Sequence, residues 1–248
     1  MGLDAFVMCR CWQDGLATPP PIPAEWLRVE NSMFEIVDEH DTLENSMAVD
    51  RWQYDACPHP NMEAAEERVA NWSAYRLFQT ALKHVGWQHF PALKANLPEA
   101  NGGQMPAAAA AVVLDELAYF NAQPQVGEET RLVNEDTAAT VMVYVPSYDG
   151  VVCQGPGYRS GVTPSGFFLQ VDGQPEFRTA RFEQIVENGR ATLTDGERSV
   201  VWPDKPFTGQ RFAVASRTLT PAYFEPIVES LRILCEASVA TGNPVAWT

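Results

Sequence analysis

Apolar residues recur along this chain in two rhythms, and the change from one to the other near Thr130 predicts the architecture. Up to that point the three- and four-residue step dominates. After Pro58 and Pro60, Asn61 can cap a helix whose first turns carry Glu63, Glu66 and Glu67, where the macrodipole favours acids. Ala65, Val69, Trp72, Tyr75, Phe78, Leu82 and Val85 then form one face as far as Gly86. A short helix is expected over 90–97, and a longer one from Pro106 to about Phe120, after the break at Asn101-Gly102-Gly103. Two short strands, 3–8 and 33–37, precede these helices, and the acidic stretch behind the second reads as a loop returning through 47–54.

Beyond Thr130 the pattern shortens to alternation. Strands are expected at 141–145, 151–154, 167–171, 177–186, 191–194, 199–202 and 212–219. Asp149-Gly150, Asp172-Gly173, Asn188-Gly189 and Asp195-Gly196 separate them, and such pairs supply the positive φ that tight hairpins require. Pro221 then opens a last helix with a stripe of Phe224, Ile227, Val228, Leu231, Leu234, Cys235 and Ser238, closed by Gly242 and Pro244. The expected class is α+β, a mainly antiparallel sheet with three or four packed helices. It is expected as a single domain over 1–248, helix-rich at 61–121, strand-rich at 130–219 and helical again at 221–241.

Composition narrows the class of function more than the fold. The 248 residues are 46% hydrophobic and 10% aromatic, ample for a packed core. No apolar run approaches the ~20 residues that span a bilayer, and the opening residues lack a basic leader, so a soluble cytoplasmic protein is expected. Five cysteines are an odd number and too few for a disulfide scaffold, which suits a reducing compartment. The proline run 19–23 reads as a stiff connector, with an SH3-type ligand as the functional alternative.

Charge changes the picture most. The net charge is −15, and the first seventy residues hold fourteen acidic and four basic side chains, a local net of −10. Nucleic-acid and anionic-membrane partners are disfavoured, since both need a basic footprint. Glu35, Asp38, Glu39, Asp41 and Glu44 fall within ten residues, and such crowding raises self-repulsion without helping a core. A basic protein partner would offset it. Trp12, Trp26, Trp52 and Tyr54 lie in the same front segment; Trp52 and Tyr54 are candidate anchors within the charged rim, with core filling as the alternative for at least two of the aromatics.

Candidate chemistry is confined to a few soft donors. Cys9 and Cys11 share one face of an extended segment, and Cys57-Pro58-His59 adds a second thiol site and an imidazole. Zinc takes four such ligands in a tetrahedron, so Cys9, Cys11, Cys57 and His59 can close a structural site if the two segments meet. The two-residue thiol step is narrower than the usual knuckle, and buried cysteines are the competing account. A nucleophile and base pair of Cys57 with His59 or His40 would need an oxyanion device, and none is recognisable. Gly155-Pro156-Gly157 lacks the lysine and helix of a phosphate cradle, while His84 and His89 suit a helix end. No catalytic residue is assigned.

Four segments carry a resemblance: Met1-Gly2-Leu3-Asp4 with Cys9-x-Cys11; Cys57-Pro58-His59-Pro60-Asn61-Met62; Asn71-Trp72-x-x-Tyr75-Arg76; and Thr241-Gly242-Asn243-Pro244-Val245. Together they resemble a group of uncharacterised bacterial proteins and have the general look of immunity proteins of polymorphic toxin systems. That resemblance implies a role and no particular architecture. The expected function is a non-enzymatic acidic protein that binds and neutralises a basic partner, such as a cognate toxin. The alternative is a small hydrolase or metal-dependent enzyme using the Cys9, Cys11, Cys57 and His59 region.

Overall fold

The computed structural model describes residues 2–30 and 32–248, so Met1, which opens the first resemblance segment, lies outside them. The described residues form an α+β fold in which every strand pairing is antiparallel. In chain order the first elements are β1 (Gly2–Met8), β2 (Leu27–Glu30), β3 (Met33–Ile36), α1 (Leu43–Asp55), β4 (Glu63–Asn71), α2 (Trp72–Val85), α3 (Pro91–Asn96), β5 (Gln104–Met105) and α4 (Ala107–Asn121). Ten strands follow: β6 (Gly127–Asn134), β7 (Thr140–Val143), β8 (Val151–Gly155), β9 (Tyr158–Thr163), β10 (Gly166–Val171), β11 (Phe177–Thr179), β12 (Arg181–Glu187), β13 (Arg190–Thr194), β14 (Ser199–Trp202) and β15 (Arg211–Leu219). The chain closes with α5 (Glu225–Thr241) and β16 (Val245–Trp247). No helix among the described residues is long and apolar enough to cross a membrane.

The chain divides into two compact units, 1–124 with 221–248, and 125–220. In the first, a four-stranded sheet runs β4-β1-β16-β5. Helix α5 lies on β1 and β4, α4 packs on α5, and α3 on α4. The pleat of β1 sends Leu3, Ala5 and Val7 into this core. The stripe expected on the last helix is buried throughout, Phe224 coming from the 3-10 turn that precedes α5 and Gly242 (φ 73°) ending it in a left-handed cap. The rings of Phe78, Phe120 and Phe224 meet at 5.3–5.9 Å in edge-on and tilted pairs.

Two expectations about this unit require correction. The helix expected from Asn61 begins only at Trp72, where the Asn71 side chain accepts a hydrogen bond from the Ala74 amide at 2.9 Å. Glu63, Glu66 and Glu67 lie instead on β4, paired along β1. The reason is tertiary: β1 needs a partner on this side, and ladder pairing outweighs a weak helical preference. Likewise the acidic stretch is a 3-10 turn at Asp38–His40 followed by α1, whose Thr42 hydroxyl accepts from the Asn45 amide at 3.2 Å. Only Val49 of α1 is buried, so no apolar stripe announces this helix.

The second unit stacks a six-stranded sheet, β14-β13-β12-β15-β6-β7, against a four-stranded one, β11-β10-β9-β8. Phe167, Leu169 and Phe177 from the smaller sheet meet Phe182, Leu193, Trp202 and Phe212 from the larger. Asn188 and Gly189 adopt φ of 49° and 77°, the mirror-image turn that joins β12 to β13 with Glu187 opposite Arg190. The single strand expected over 177–186 is two. Phe177 and Phe182 are both buried although five residues apart, so the alternation changes phase and the chain leaves one sheet for the other near Ala180.

Candidate metal centre

Strand β1 ends in a tight excursion that returns its backbone to the cluster. The Cys9 amide donates to the Met62 carbonyl at 2.7 Å, and the amides of Leu16 and Ala17 both reach the Cys11 carbonyl, at 2.7 and 3.1 Å. On the far side, α1 stops at Asp55, Cys57 to His59 bend, and Pro60–Met62 make a 3-10 turn with Asn61 and Met62 both at positive φ, 53° and 58°. Consecutive left-handed residues other than glycine are costly, and the surrounding packing has to impose them. Met62 is fully buried against Cys9, Cys11 and Ala56, with Trp12, Phe34 and Trp52 closing over them.

This arrangement brings together all four donors expected from the sequence. The ligand atoms of Cys9, Cys11, Cys57 and His59 lie within 4.8 Å of one another. Cys9 Sγ is 3.7 Å from Cys57 Sγ, and His59 Nδ1 is 3.5 Å from Cys11 Sγ and 3.8 Å from Cys57 Sγ. A tetrahedral ion with metal–sulfur bonds of about 2.3 Å and a metal–nitrogen bond of about 2.0 Å has edges of about 3.8 Å between sulfurs and about 3.5 Å between sulfur and nitrogen. The Cys9–Cys57 and Cys11–His59 edges match those lengths and the Cys57–His59 edge is slightly longer, so the cluster can hold a metal ion. The Cys11 amide also donates to Cys9 Sγ at 3.4 Å, a bond that strengthens when the sulfur is anionic.

With no ion bound, the surroundings hold these thiols protonated. Burial pushes the Cys9 thiol up to about 12, and it raises Cys11 as well, with the hydrogen bond to Cys57 adding to that shift. Thiols held neutral in this way are poor nucleophiles near neutral pH. A bound divalent cation reverses the balance by replacing the proton. The remaining cysteines are elsewhere: Cys235 is in the buried stripe of α5, and Cys153 is on β8 of the second unit.

A residue that sequence reasoning missed completes the support. Asn243, in the closing resemblance segment, donates from Nδ2 to the carbonyls of Met8 and Cys9 at 2.8 and 3.1 Å. It thereby fixes the backbone that presents the first thiol. The Thr241-Gly242-Asn243 segment and the Cys9 and Cys57 segments therefore converge on one place, although nothing in their spacing announces it.

The acidic residues divide by position. Glu35, Asp38 and Asp41, joined by Asp50, surround a concavity of about 290 Å³ with Phe34, Ile36 and Val49 as its apolar lining, and Arg28 and Ser46 line it too. Arg28 bridges Glu35 at 3.1 Å and Glu30 at 3.3 Å. Glu39 and Glu44 are exposed and do not line it. Trp52 is half-buried: its indole donates to the Thr18 carbonyl at 3.0 Å, and its ring meets Trp12 and Phe34 edge-on at 5.6 and 5.3 Å. Tyr54 is exposed, and Trp26 stacks on His40 at 3.8 Å. A neighbouring hollow of about 430 Å³ shares Phe34 and Asp50 and is lined also by Asn61 and Glu63. Burial, and then the charge of Glu66, pushes the Glu63 carboxyl up to about 7. Comparisons with protein-family models, with curated proteins and with solved structures return no match.

Proposed function

We propose that this chain is an acidic, non-enzymatic binding protein that captures and neutralises a basic protein, a cognate bacterial toxin being the candidate partner. The observation that carries the reading is the concavity where Glu35, Asp38, Asp41 and Asp50 outnumber the one lining cation, Arg28, which is paired with Glu35. An arginine or lysine entering it would meet carboxylates at the rim and stack its alkyl stem on Phe34, Ile36 and Val49. The local excess of acid on 1–70 would steer a cationic partner toward the same surface. Glu39 and Glu44, exposed outside the concavity, add to the local negative charge, and the exposed Tyr54 is available to a partner, while Trp52 packs Phe34 in place.

In the same reading Cys9, Cys11, Cys57 and His59 hold a structural Zn²⁺. Three thiolates and one imidazole fill a tetrahedron and leave no open position for substrate, which separates this set from a catalytic zinc site. Nδ1 is the nitrogen of His59 that faces the sulfurs, so the ring carries its proton on Nε2 when the ion is bound. All five cysteines are free, which suits a reducing cytoplasm.

Titration of the purified chain against a co-encoded basic protein at low and high salt tests the binding reading. Affinity is expected to fall steeply as salt rises, and the double variant Asp38→Asn, Asp41→Asn is expected to weaken binding at low salt. Affinity indifferent to salt, or unchanged in that variant, overturns it.

A further inference from the structure

The stretch between the two halves of the metal cluster has almost no core of its own. From 10 to 61, the described residues bury only four apolar side chains, Cys11, Ile22, Val49 and Ala56. One of these is a metal donor, and another adjoins Cys57. Among the described residues, strands β2 and β3 pair solely with each other, and a lone two-stranded hairpin is marginal in water. Helix α1 spans 13 residues and buries one, and a helix of that length gains little without packing. The rest of the first unit is different in kind, with Tyr75, Phe78, Phe90, Phe120 and Phe224 buried between its sheet and helices.

Inside the stretch the Thr18 amide donates to the Ala56 carbonyl at 2.8 Å, and the Trp52 indole of α1 donates to the Thr18 carbonyl. Outside the cluster it is held to the rest of the unit by hydrogen bonds at the surface and edge, among them Gln104 to the Ser32 hydroxyl at 3.0 Å and Arg10 to the Thr241 carbonyl at 3.1 Å. Cys9 and Cys57, and likewise Cys11 and His59, are 48 residues apart in sequence, so an ion bound by all four closes one long loop at both ends. A cross-link of that span removes conformational entropy from the open chain, and more for a long loop than for a short one. The ion thus takes the place that an apolar core would fill.

We infer that metal occupancy and the order of the acidic lobe, residues 10–61, are a single equilibrium. With the ion bound, the lobe holds its carboxylate-ringed concavity in shape for the cationic partner. With the ion removed, the lobe opens locally, while the sheet β4-β1-β16-β5 and helices α2, α4 and α5 stay folded. The inference rests on the zinc reading of the centre, and it makes metal supply a control on partner binding.

Hydrogen exchange of the full chain, read by mass spectrometry with a thiol reductant present, tests it. Zinc content is measured first, then amide exchange is compared for the zinc-loaded protein, for the protein after chelation, and after Zn²⁺ is returned. Protection is expected to be lost over 17–55 on chelation and regained with Zn²⁺, with protection in α2, α4 and α5 unchanged. The double variant Cys57→Ser, His59→Ala is expected to show the chelated pattern without a chelator. Stoichiometric zinc whose removal leaves exchange over 17–55 unchanged overturns the inference and spares the zinc reading. Loss of protection throughout the first unit also overturns it. A protein that takes up no zinc overturns both.

Discussion

Glu116 offers the sharpest quantitative test of how the first unit is assembled. It sits in α4 with 5% exposure, and its two carboxylate oxygens accept from the Ala92 and Leu93 amides at 2.7 Å each. Those amides belong to the first turn of α3, whose N-cap residue Phe90 supplies no side-chain bond. A carboxylate from a different helix therefore does the work of a cap. Glu116→Ala removes both acceptors and leaves two N–H groups unpaired, and Leu93 is buried beyond the reach of water. At about 1–3 kcal/mol for each orphaned donor, and allowing the half-buried Ala92 amide partial access to solvent, the loss should be about 3 kcal/mol. Glu116→Gln keeps one acceptor in place and should lose less. Urea unfolding followed by far-ultraviolet circular dichroism gives both values from the shift in midpoint. A loss below about 1 kcal/mol for the alanine variant would refute the claim that Glu116 caps α3.

Other consequences can be checked with equally simple measurements. Burial holds the Glu63 carboxyl at about 7 in the folded protein, against ~4.3 in an unfolded chain, so between those values the folded state retains a proton the unfolded state has lost. Stability should therefore fall as pH rises through that window. Glu63→Gln should remove the slope, matching wild type at pH 4 and exceeding it at pH 8 by about 1 kcal/mol once solvent screening is allowed for; parallel urea midpoints at the two pH values would contradict this. Tyr75 is fully buried and its hydroxyl donates to the Pro98 carbonyl at 2.9 Å, so Tyr75→Phe should cost about 1–2 kcal/mol in the same assay. In the second unit, a Cβ at Gly161 would run into the Gly150 carbonyl of the facing loop. Gly161→Ala should destabilise by about 1–3 kcal/mol, and a thermal midpoint equal to wild type would show that this backbone contact is not close.

The sequence was informative where one local rule decided the outcome. Asn188-Gly189 specifies its turn by backbone conformation alone, and the stripe from Phe224 to Ser238 has a single face to bury. The clustering of Cys9, Cys11, Cys57 and His59 was legible for a similar reason, since few other groups in the chain offer soft ligands at short steps. Long-range pairing was not legible. Glu63, Glu66 and Glu67 satisfy the rule for a helix's first turn, yet the requirement of β1 for a neighbour draws them into β4. Strand β16 and Asn243 depend on the chain's end returning beside its beginning, which no local pattern encodes. Glu116 gives no sign of its role within its apolar, alanine-rich helix, because its partner amides lie on α3. Helix α1 escaped notice for the opposite reason: it buries a single residue and so has no stripe to read.

The central claim is that three thiolates and one imidazole bind a tetrahedral ion that organises the acidic lobe. Replacement by Co²⁺ tests the coordination most directly, because its visible spectrum reports geometry and ligand type together. One cobalt ion per chain should bind with the strong ligand-field bands of a tetrahedral site and a sulfur-to-cobalt charge-transfer band, Zn²⁺ should displace it, and Cys9→Ala should abolish the spectrum. Weak octahedral bands, or no stoichiometric uptake by the reduced protein, would contradict the account.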